Sequence, residues 1–163
     1  EIIRRSEKLG ALFAATEAYQ KANAVYGYLP YNQEVRTVPM LEQAIRDGKR
    51  IAVPKCYGDE MRFLWMEDLR KVEKGYAGIP EPIADGPVAD DPSALMLMPG
   101  MVFDAAGHRI GYGGGYYDTY FEKHQGYRKI GLAFSEQISE MDIPTEETDV
   151  PLDDIVTENG WEE

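Results

Sequence analysis

Cysteine and histidine are scarce in this chain. Cys56 is the single cysteine among 163 residues, and His108 and His124 are the two histidines. A single cysteine excludes a disulfide within the chain and fits a reducing compartment, so we expect a cytoplasmic protein. These three residues also lack the spacing of a zinc site. We therefore interpret both histidines as surface or packing residues rather than metal ligands.

Positive charge is also in short supply. The chain has 17 Lys and Arg against 29 Asp and Glu, which gives a net charge of −12. An acidic surface repels nucleic acid and anionic membranes, so we expect neither as a partner. A cleft for an anionic ligand would need local positive charge. Arg109 is the main candidate for this charge, and Lys55 and Arg128 are further candidates.

Long apolar runs, internal repeats and low-complexity tracts are absent from the sequence. No apolar segment approaches the length of a membrane span, and we expect no secretory signal. The hydrophobic content of 44% is that of a globular protein. We expect one domain over residues 1–163 and a monomer. Because Glu1 begins inside a helical pattern, we expect the natural start of the protein to lie upstream.

The hydrophobic pattern alternates between strand-like and helix-like segments. Helices are predicted at 2–19 with a break at Gly10, at 37–46 with Thr37 as the cap, and at 116–124. Strands are predicted at 23–29, 51–53, 61–66, 94–98, 129–134 and 154–156, with Pro54 ending the second of them. This alternation predicts an α/β fold with a mostly parallel central sheet flanked by helices.

Four segments follow predicted strands and should share one edge of the sheet, here called the rim. They are residues 29–34, 54–56, 99–103 and 134–137. In parallel α/β sheets, ligands bind beyond the carboxyl ends of the strands. The rim, with the glycine-rich loop beside it, is therefore the predicted binding site.

Residues 107–115 contain five glycines and Arg109, and Tyr116, Tyr117 and Asp118 follow at once. Backbone without Cβ atoms can approach a ligand closely and present N–H groups to an anion. Arginine suits phosphate oxygens, and a carboxylate suits Mg²⁺ bound to phosphates. The pattern favours a nucleotide-phosphate site over a flexible turn between strands. It matches neither the Walker loop nor the dinucleotide fingerprint, which needs glycine where Tyr116 stands.

Residues 99–118 resemble the signature of the 5-formyltetrahydrofolate cyclo-ligase family. That signature is a Pro-Gly, a Phe-Asp and then Gly-x-Arg-(apolar)-Gly-x-Gly-x-Gly-Tyr-Tyr-Asp. Residues 29–37, 78–82 and 143–153 are similar to other segments of the family. The resemblance implies a carbon-nitrogen ligase that cyclises 5-formyltetrahydrofolate to 5,10-methenyltetrahydrofolate. It also implies ATP as co-substrate, Mg²⁺ as cofactor and a phosphorylated formyl intermediate, with ADP and phosphate released.

The resemblance also implies roles for individual residues. ATP would be bound by the loop and the start of the next helix, that is by Arg109, Ile110, Gly111, Tyr112, Gly113, Gly114, Gly115, Tyr116 and Tyr117. Folate would be bound by Leu29, Glu34 and Tyr116, and Mg²⁺ by Asp118 and Asp149. Arg109 and Tyr116 are the expected catalytic residues, with Tyr116 between the two substrates. From the residues alone, Asp149 is equally part of an acidic surface.

Two details of the sequence differ from the family pattern. Arg36 stands where relatives often carry an acidic residue. The basic residues that the family's N-terminal helix contributes to the phosphates do not map onto Arg4, Arg5 or Lys8, so we expect them to lie upstream of Glu1 or to be absent.

Two other functions fit the same residues. The first is an ATP-independent enzyme related to sugar-phosphate isomerases or CoA-transferases, with Glu34 as base or nucleophile. The second is a protein that binds nucleotide or folate without catalysis. Folate-dependent release of phosphate from ATP would distinguish the cyclo-ligase from both of these alternatives.

Overall fold

A computed structural model describes residues 1–30, 34–75, 78–83, 85–111, 115–144 and 150–162. The helices are α1 (Ile2–Ala14), α2 (Glu17–Lys21), α3 (Val38–Arg46) and α4 (Tyr116–Lys123). The first six strands are β1 (Ala24–Tyr26), β2 (Arg50–Tyr57), β3 (Glu60–Met66), β4 (Val72–Lys74), β5 (Pro80–Pro82) and β6 (Leu95–Met98). The others are β7 (Val102–Asp104), β8 (Arg109–Ile110), β9 (Arg128–Leu132), β10 (Ile138–Ser139), β11 (Asp154–Thr157) and β12 (Gly160–Glu162).

The central sheet has seven strands in the order β12-β11-β9-β6-β1-β2-β3. The inner pairs from β11 to β2 are parallel, and the two edge strands, β12 and β3, run antiparallel to their neighbours. β4 and β5 form a separate ribbon, and β7, β8 and β10 form a small third sheet. The prediction of a single α/β domain with a mostly parallel sheet is confirmed.

Two hydrophobic clusters cover the two faces of the central sheet. β6 shows how one strand serves both, because all four of its residues are buried. Leu95 and Leu97 pack into the cluster that includes residues of α1 and α3, and Met96 and Met98 pack into the cluster that includes residues of α4. Alternate residues of a strand point to opposite faces, so a continuous apolar run is the pattern of a strand buried on both sides.

The strand order reverses direction between β1 and β6. From β1 the chain continues to β2 and β3 on one side, and it then returns to place β6, β9 and β11 on the other. Loops that leave two neighbouring parallel strands in opposite directions open a crevice at their carboxyl ends. The fold therefore places its main crevice beyond Tyr26 and Met98.

The predicted break at Gly10 is wrong. α1 continues through Gly10 to Ala14, and the chain turns at Thr16, whose hydroxyl accepts a hydrogen bond from the Tyr19 backbone at 3.2 Å. Gly10 serves packing instead, since a Cβ atom at this position would lie 3.1 Å from Cγ of Met40. Its missing side chain lets α1 approach α3.

The predicted end of the second strand at Pro54 is also wrong, because β2 runs on to Tyr57. Pro54 pairs with Phe63 of β3, whereas the register with β1 ends at Ala52. Beyond Ala52, β2 has lost its neighbour on the β1 side. Proline is tolerated in strands that have such an open edge.

Candidate active site

A cavity of about 400 Å³ opens at the carboxyl ends of β1, β2 and β6. It is lined by Tyr28, Leu29, Glu34, Pro54, Cys56, Met61, Ile79, Pro80, Glu81, Pro99, Arg109, Ile110, Gly111, Gly115, Tyr116, Tyr117, Asp118 and Pro144. The structure therefore brings together at one cavity all the predicted site residues that it describes. Tyr112, Gly113, Gly114 and Asp149 lie outside the described residues.

Arg109 lies on β8 and faces the cavity. Its guanidinium donates a hydrogen bond to the carbonyl oxygen of Pro99 at 3.1 Å, and its Cζ atom lies 5.1 Å from the ring centroid of Tyr117. A Cβ atom at Gly111 would lie 2.7 Å from a guanidinium nitrogen of Arg109. Glycine at this position therefore makes room for the cation, in addition to any contact of its backbone with a ligand.

The first turn of α4 forms one wall of the cavity. Gly115 precedes the helix with φ of 62°, a left-handed conformation that favours glycine, and Tyr116, Tyr117 and Asp118 follow it. The first N–H groups of a helix have no partners within the helix and carry partial positive charge. A helix start beside Arg109 therefore suits an anionic ligand.

The hydroxyl of Tyr117 is buried and has no hydrogen-bond partner among the described residues. Burial raises the pKa of this phenol; the nearby Arg109 opposes the shift, and Glu34 and Cys56 add to it. The group therefore stays protonated and able to donate. A buried hydroxyl without a partner costs about 1–3 kcal/mol, which a ligand oxygen could offset.

Tyr116 spans the cavity. Its hydroxyl donates a hydrogen bond to the carbonyl oxygen of Gly58 at 2.8 Å, in the turn between β2 and β3. It also interacts with Cys56 of β2. Burial and the Glu81 carboxylate raise the pKa of the Cys56 thiol, and the interaction with Tyr116 opposes this shift. Tyr116 thus joins α4 to the wall formed by β2.

Leu29 and Glu34 follow β1 and line the same cavity. Leu29 is 4% exposed and Glu34 is 6% exposed. Glu34 lies close enough to Tyr117 to help raise the pKa of that phenol. A carboxylate buried at the end of a strand costs free energy unless it is hydrogen-bonded, and such groups are common in binding sites.

Asp118 is the predicted magnesium ligand that the structure describes. One of its carboxylate oxygens accepts a hydrogen bond from the backbone of Val150 at 3.3 Å, and the side chain lines the cavity. Val150 directly follows Asp149 in the chain. The described residues contain no group of three or more potential ligand side chains. Mg²⁺ commonly uses one or two carboxylates together with substrate phosphates, so a carboxylate beside the Arg109 cation fits it.

Two polar side chains, of which Asp104 is buried, brace the loops that carry the site. Asp104 is 1% exposed and accepts hydrogen bonds from the backbone of Ala106, His108 and Ile143. Burial opposes ionisation, but these N–H groups and the His108 ring outweigh it and lower the pKa of Asp104. The amide of Gln137 donates to the carbonyl oxygens of Gly100 and Met101. Residues 134–137 therefore support the rim and do not line the cavity.

Lys55 and Arg128 do not supply charge to the cavity, contrary to the sequence prediction. Lys55 donates to the carbonyl oxygens of Pro82 and Ile83, which fastens β5 to β2. Arg128 begins β9, at the amino ends of the parallel strands and away from the cavity. It pairs with Asp154 at 2.7 Å.

The sequence predictions gave no role to two chemically active side chains of the cavity, Cys56 and Glu81. Cys56 belongs to a segment expected at the rim. Glu81 belongs to a turn-like segment, residues 78–82, that offers no chemical signal without its neighbours in space.

Comparisons with known proteins identify the family of this chain. A family model described as the 5-formyltetrahydrofolate cyclo-ligase family matches residues 1–158. The 5-formyltetrahydrofolate cyclo-ligase of Mus musculus is 29% identical over 175 residues, covering 98% of this chain and 85% of the mouse protein. The enzyme of the same name from Escherichia coli K12 is 32% identical over 149 residues, covering 86% and 81%.

Solved structures give the same result. The 5,10-methenyltetrahydrofolate synthetase of Aquifex aeolicus superposes with a TM-score of 0.83 at 29% identity, covering 98% of this chain and 80% of the other. The synthetase from Mycoplasma pneumoniae has a TM-score of 0.74 at 23% identity, covering 96% and 87%, and supports the fold. The predicted family and enzyme class are confirmed. Within the described part of the chain, no helix is both long and apolar enough to cross a bilayer.

Proposed function

The chain belongs to the 5-formyltetrahydrofolate cyclo-ligase family, and we propose that it converts 5-formyltetrahydrofolate to 5,10-methenyltetrahydrofolate while ATP and Mg²⁺ yield ADP and phosphate. The observation that carries this proposal is the composition of one cavity. It combines a cation and a helix start, suited to phosphates, with a buried carboxylate, suited to a ring that donates hydrogen bonds. Two unlike substrates need such a divided site.

The phosphate end of the cavity consists of Arg109, Gly111 and the first turn of α4. We assign to Arg109 the stabilisation of the phosphoryl group in transfer, a role for which a fixed guanidinium is suited. The contact with Pro99 and the ring of Tyr117 holds that guanidinium in place before a ligand arrives. The protonated hydroxyl of Tyr117 supplies a further donor to a phosphate oxygen.

The folate end consists of Leu29, Glu34 and Tyr116. The amino group and ring N–H of a pterin form a paired donor edge, which the Glu34 carboxylate can accept. Leu29 provides apolar surface for the ring. Tyr116 lies between the two ends, because it belongs to α4 yet bonds to the β2–β3 turn. We therefore place the reacting formyl group beside Tyr116.

The proposed chemistry has two stages. The formyl oxygen first attacks the γ-phosphoryl group of ATP, so that ADP leaves and a phosphorylated formyl group forms. N10 then attacks the formyl carbon, the ring closes and phosphate leaves. The protein contributes mainly by positioning the substrates and neutralising charge. Mg²⁺ held by Asp118 and Asp149 would supply part of this neutralisation.

We also propose a cytoplasmic location, a monomer, and no nucleic-acid or membrane partner. The acidic net charge of −12 and the single cysteine support these proposals.

The test is the absorbance rise of methenyltetrahydrofolate on incubation with 5-formyltetrahydrofolate, with and without Mg-ATP. We expect a rise that requires both ATP and Mg²⁺. A rise without ATP would instead support an ATP-independent enzyme on this scaffold. ATP binding with no product, in a protein that is folded by circular dichroism, would support a non-catalytic binder.

A further inference from the structure

Glu81 is a carboxylate of the cavity wall that the proposed substrate contacts leave without a role. It lies on β5, and one of its oxygens accepts a hydrogen bond from the backbone of Cys56 at 3.3 Å. Among the described residues it makes no other hydrogen bond and no ion pair. Its negative charge is close enough to raise the pKa of the Cys56 thiol. The carboxylate therefore retains capacity to accept a proton or hydrogen bond from a ligand.

The surrounding chain fixes the position of this carboxylate. A Cβ atom at Gly75 would lie 2.1 Å from Cδ of Glu81, so the side chain rests where any residue other than glycine would intrude. The Gly75 backbone donates to the carbonyl oxygen of Ile79 at 2.9 Å, which closes the turn between β4 and β5. Lys55 fastens the end of β5 to β2. Gly75 and the anchored end of β5 therefore leave this carboxylate a defined space beside the cavity.

Stability does not explain why a glutamate occupies this position. Glu81 lies directly opposite Glu73 in the antiparallel ribbon of β4 and β5. Like charges at directly opposite positions destabilise a strand pair. The ribbon therefore keeps two facing carboxylates at a cost in stability, and of the two only Glu81 lines the cavity.

We propose that Glu81 is the general base of the ring-closure stage, and this inference rests on the proposed function. Ring closure needs a proton acceptor, since N10 carries a proton that the methenyl product lacks. Glu81 bonds to the backbone of Cys56, and the side chain of Cys56 interacts with Tyr116, beside which the formyl group is placed. A side-chain carboxylate within reach of a reacting group can act as a general base.

The step balances as follows in atoms and electrons. The lone pair of N10 forms a bond to the formyl carbon while the π pair of the C=N5 bond returns to N5, and the proton of N10 passes to a carboxylate oxygen of Glu81. The bond from that carbon to the phosphate oxygen then breaks, and its electron pair leaves with phosphate. The N5 lone pair completes the delocalised N5–C–N10 cation of the product. Glu81 returns its proton to solvent after release.

The test separates the two stages in a single turnover. ADP is measured by rapid quench and methenyltetrahydrofolate by stopped-flow absorbance, for the wild type and for Glu81→Gln. Glutamine still accepts the Cys56 hydrogen bond but takes no proton. We expect ADP formation within about threefold of wild type and ring closure slowed by about 100-fold or more, the usual contribution of a general base.

Glu73→Gln is the matched control, since it removes one charge from the same ribbon outside the cavity. It should leave both rates unchanged. The proposal is overturned if Glu81→Gln slows ADP formation and ring closure equally, or slows neither. If Glu81→Gln does not fold, Glu81→Asp replaces it; a shifted base should slow ring closure alone. Wild-type protein that forms no product would instead refute the proposed function.

Discussion

Arg109 and Arg128 lie near opposite ends of the parallel strands and make different contacts. Arg128, at the amino end of β9, donates two hydrogen bonds to one oxygen of Asp154, which is 9% exposed. Arg109, at the rim, donates to a backbone carbonyl and lies over an aromatic ring. Arg128 neutralises a buried carboxylate of its own fold. Arg109 lines the cavity at the rim.

The cavities beside the two arginines differ in the same sense. The one at the amino end measures about 590 Å³ and is the larger, with Thr16, Lys21, Ser93 and Arg128 in its lining. The rim cavity of about 400 Å³ has Gly111, Gly115, three tyrosines and two glutamates in its lining. Volume alone would favour the amino end of the sheet. Strand direction and strand order favour the rim.

Among the variants proposed here, replacement of Arg109 should have the largest effect, and this effect is on turnover. Arg109→Ala should reduce turnover by about 100- to 1,000-fold, because it removes a fixed charge from the transferred phosphoryl group. The melting temperature should stay close to that of wild type, because Arg109 is only half-buried and lines a cavity rather than the hydrophobic core. Steady-state rates with Mg-ATP and 5-formyltetrahydrofolate, together with thermal unfolding, measure both.

Arg128→Ala is the matched control. It should leave turnover within about twofold of wild type but lower the free energy of unfolding by roughly 1–3 kcal/mol, since Asp154 loses a charged donor. Equal losses of turnover in the two variants would show that the two ends of the sheet are not functionally distinct.

Asp104→Asn should change the stability of the protein and its dependence on pH. An asparagine amide cannot accept all the hydrogen bonds that the carboxylate accepts, so the free energy of unfolding should fall by about 1–3 kcal/mol. Because folding lowers the pKa of Asp104, its contribution is complete above the unfolded value, near about 4, and is lost as the pH falls through the lower folded value. Urea unfolding between neutral and acidic pH measures this effect.

The variant should therefore show a smaller loss of stability than wild type as the pH falls below about 4. Parallel curves for the two proteins would mean that Asp104 contributes nothing to acid unfolding.

Tyr117→Phe has the smallest expected effect, and it should weaken ATP binding without lowering stability. Removing the hydroxyl should leave stability unchanged or raise it by up to about 1 kcal/mol, since no described residue bonds to it. The KM for ATP should rise by roughly tenfold, the worth of one hydrogen bond to a charged group. A stability loss with unchanged KM would make Tyr117 a packing residue.

Sequence patterns predicted the fold well where burial dominates the choice of structure. β6 is a continuous apolar run and α4 follows a glycine-rich loop, and both lie where they were expected. The position of the rim was predicted from the rule that ligands bind at the carboxyl ends of parallel strands. The small strands β7, β8 and β10 were not predicted, because two or three residues carry no measurable periodicity.

The errors have a common physical origin in contacts between distant parts of the chain. Gly10 reads as a helix break, but its role is set by Met40 of α3. Pro54 reads as a strand end, but β3 continues the pairing. Glu81 has no chemical pattern of its own, since Gly75 and Cys56 together give it a position. Such roles become visible only when packing is known.

The pairing of β1 with β6 also bears on how the protein acquires its cavity. Val25 and Leu95 are adjacent in the sheet, although roughly seventy residues separate them along the chain. Closing so long a loop costs entropy before any contact compensates for it, so pairings of this kind form slowly. No fragment that ends before β6 can contain the cavity, however well its own helices and strands form. During refolding, the recovery of ligand binding would report the joining of the two halves of the sheet.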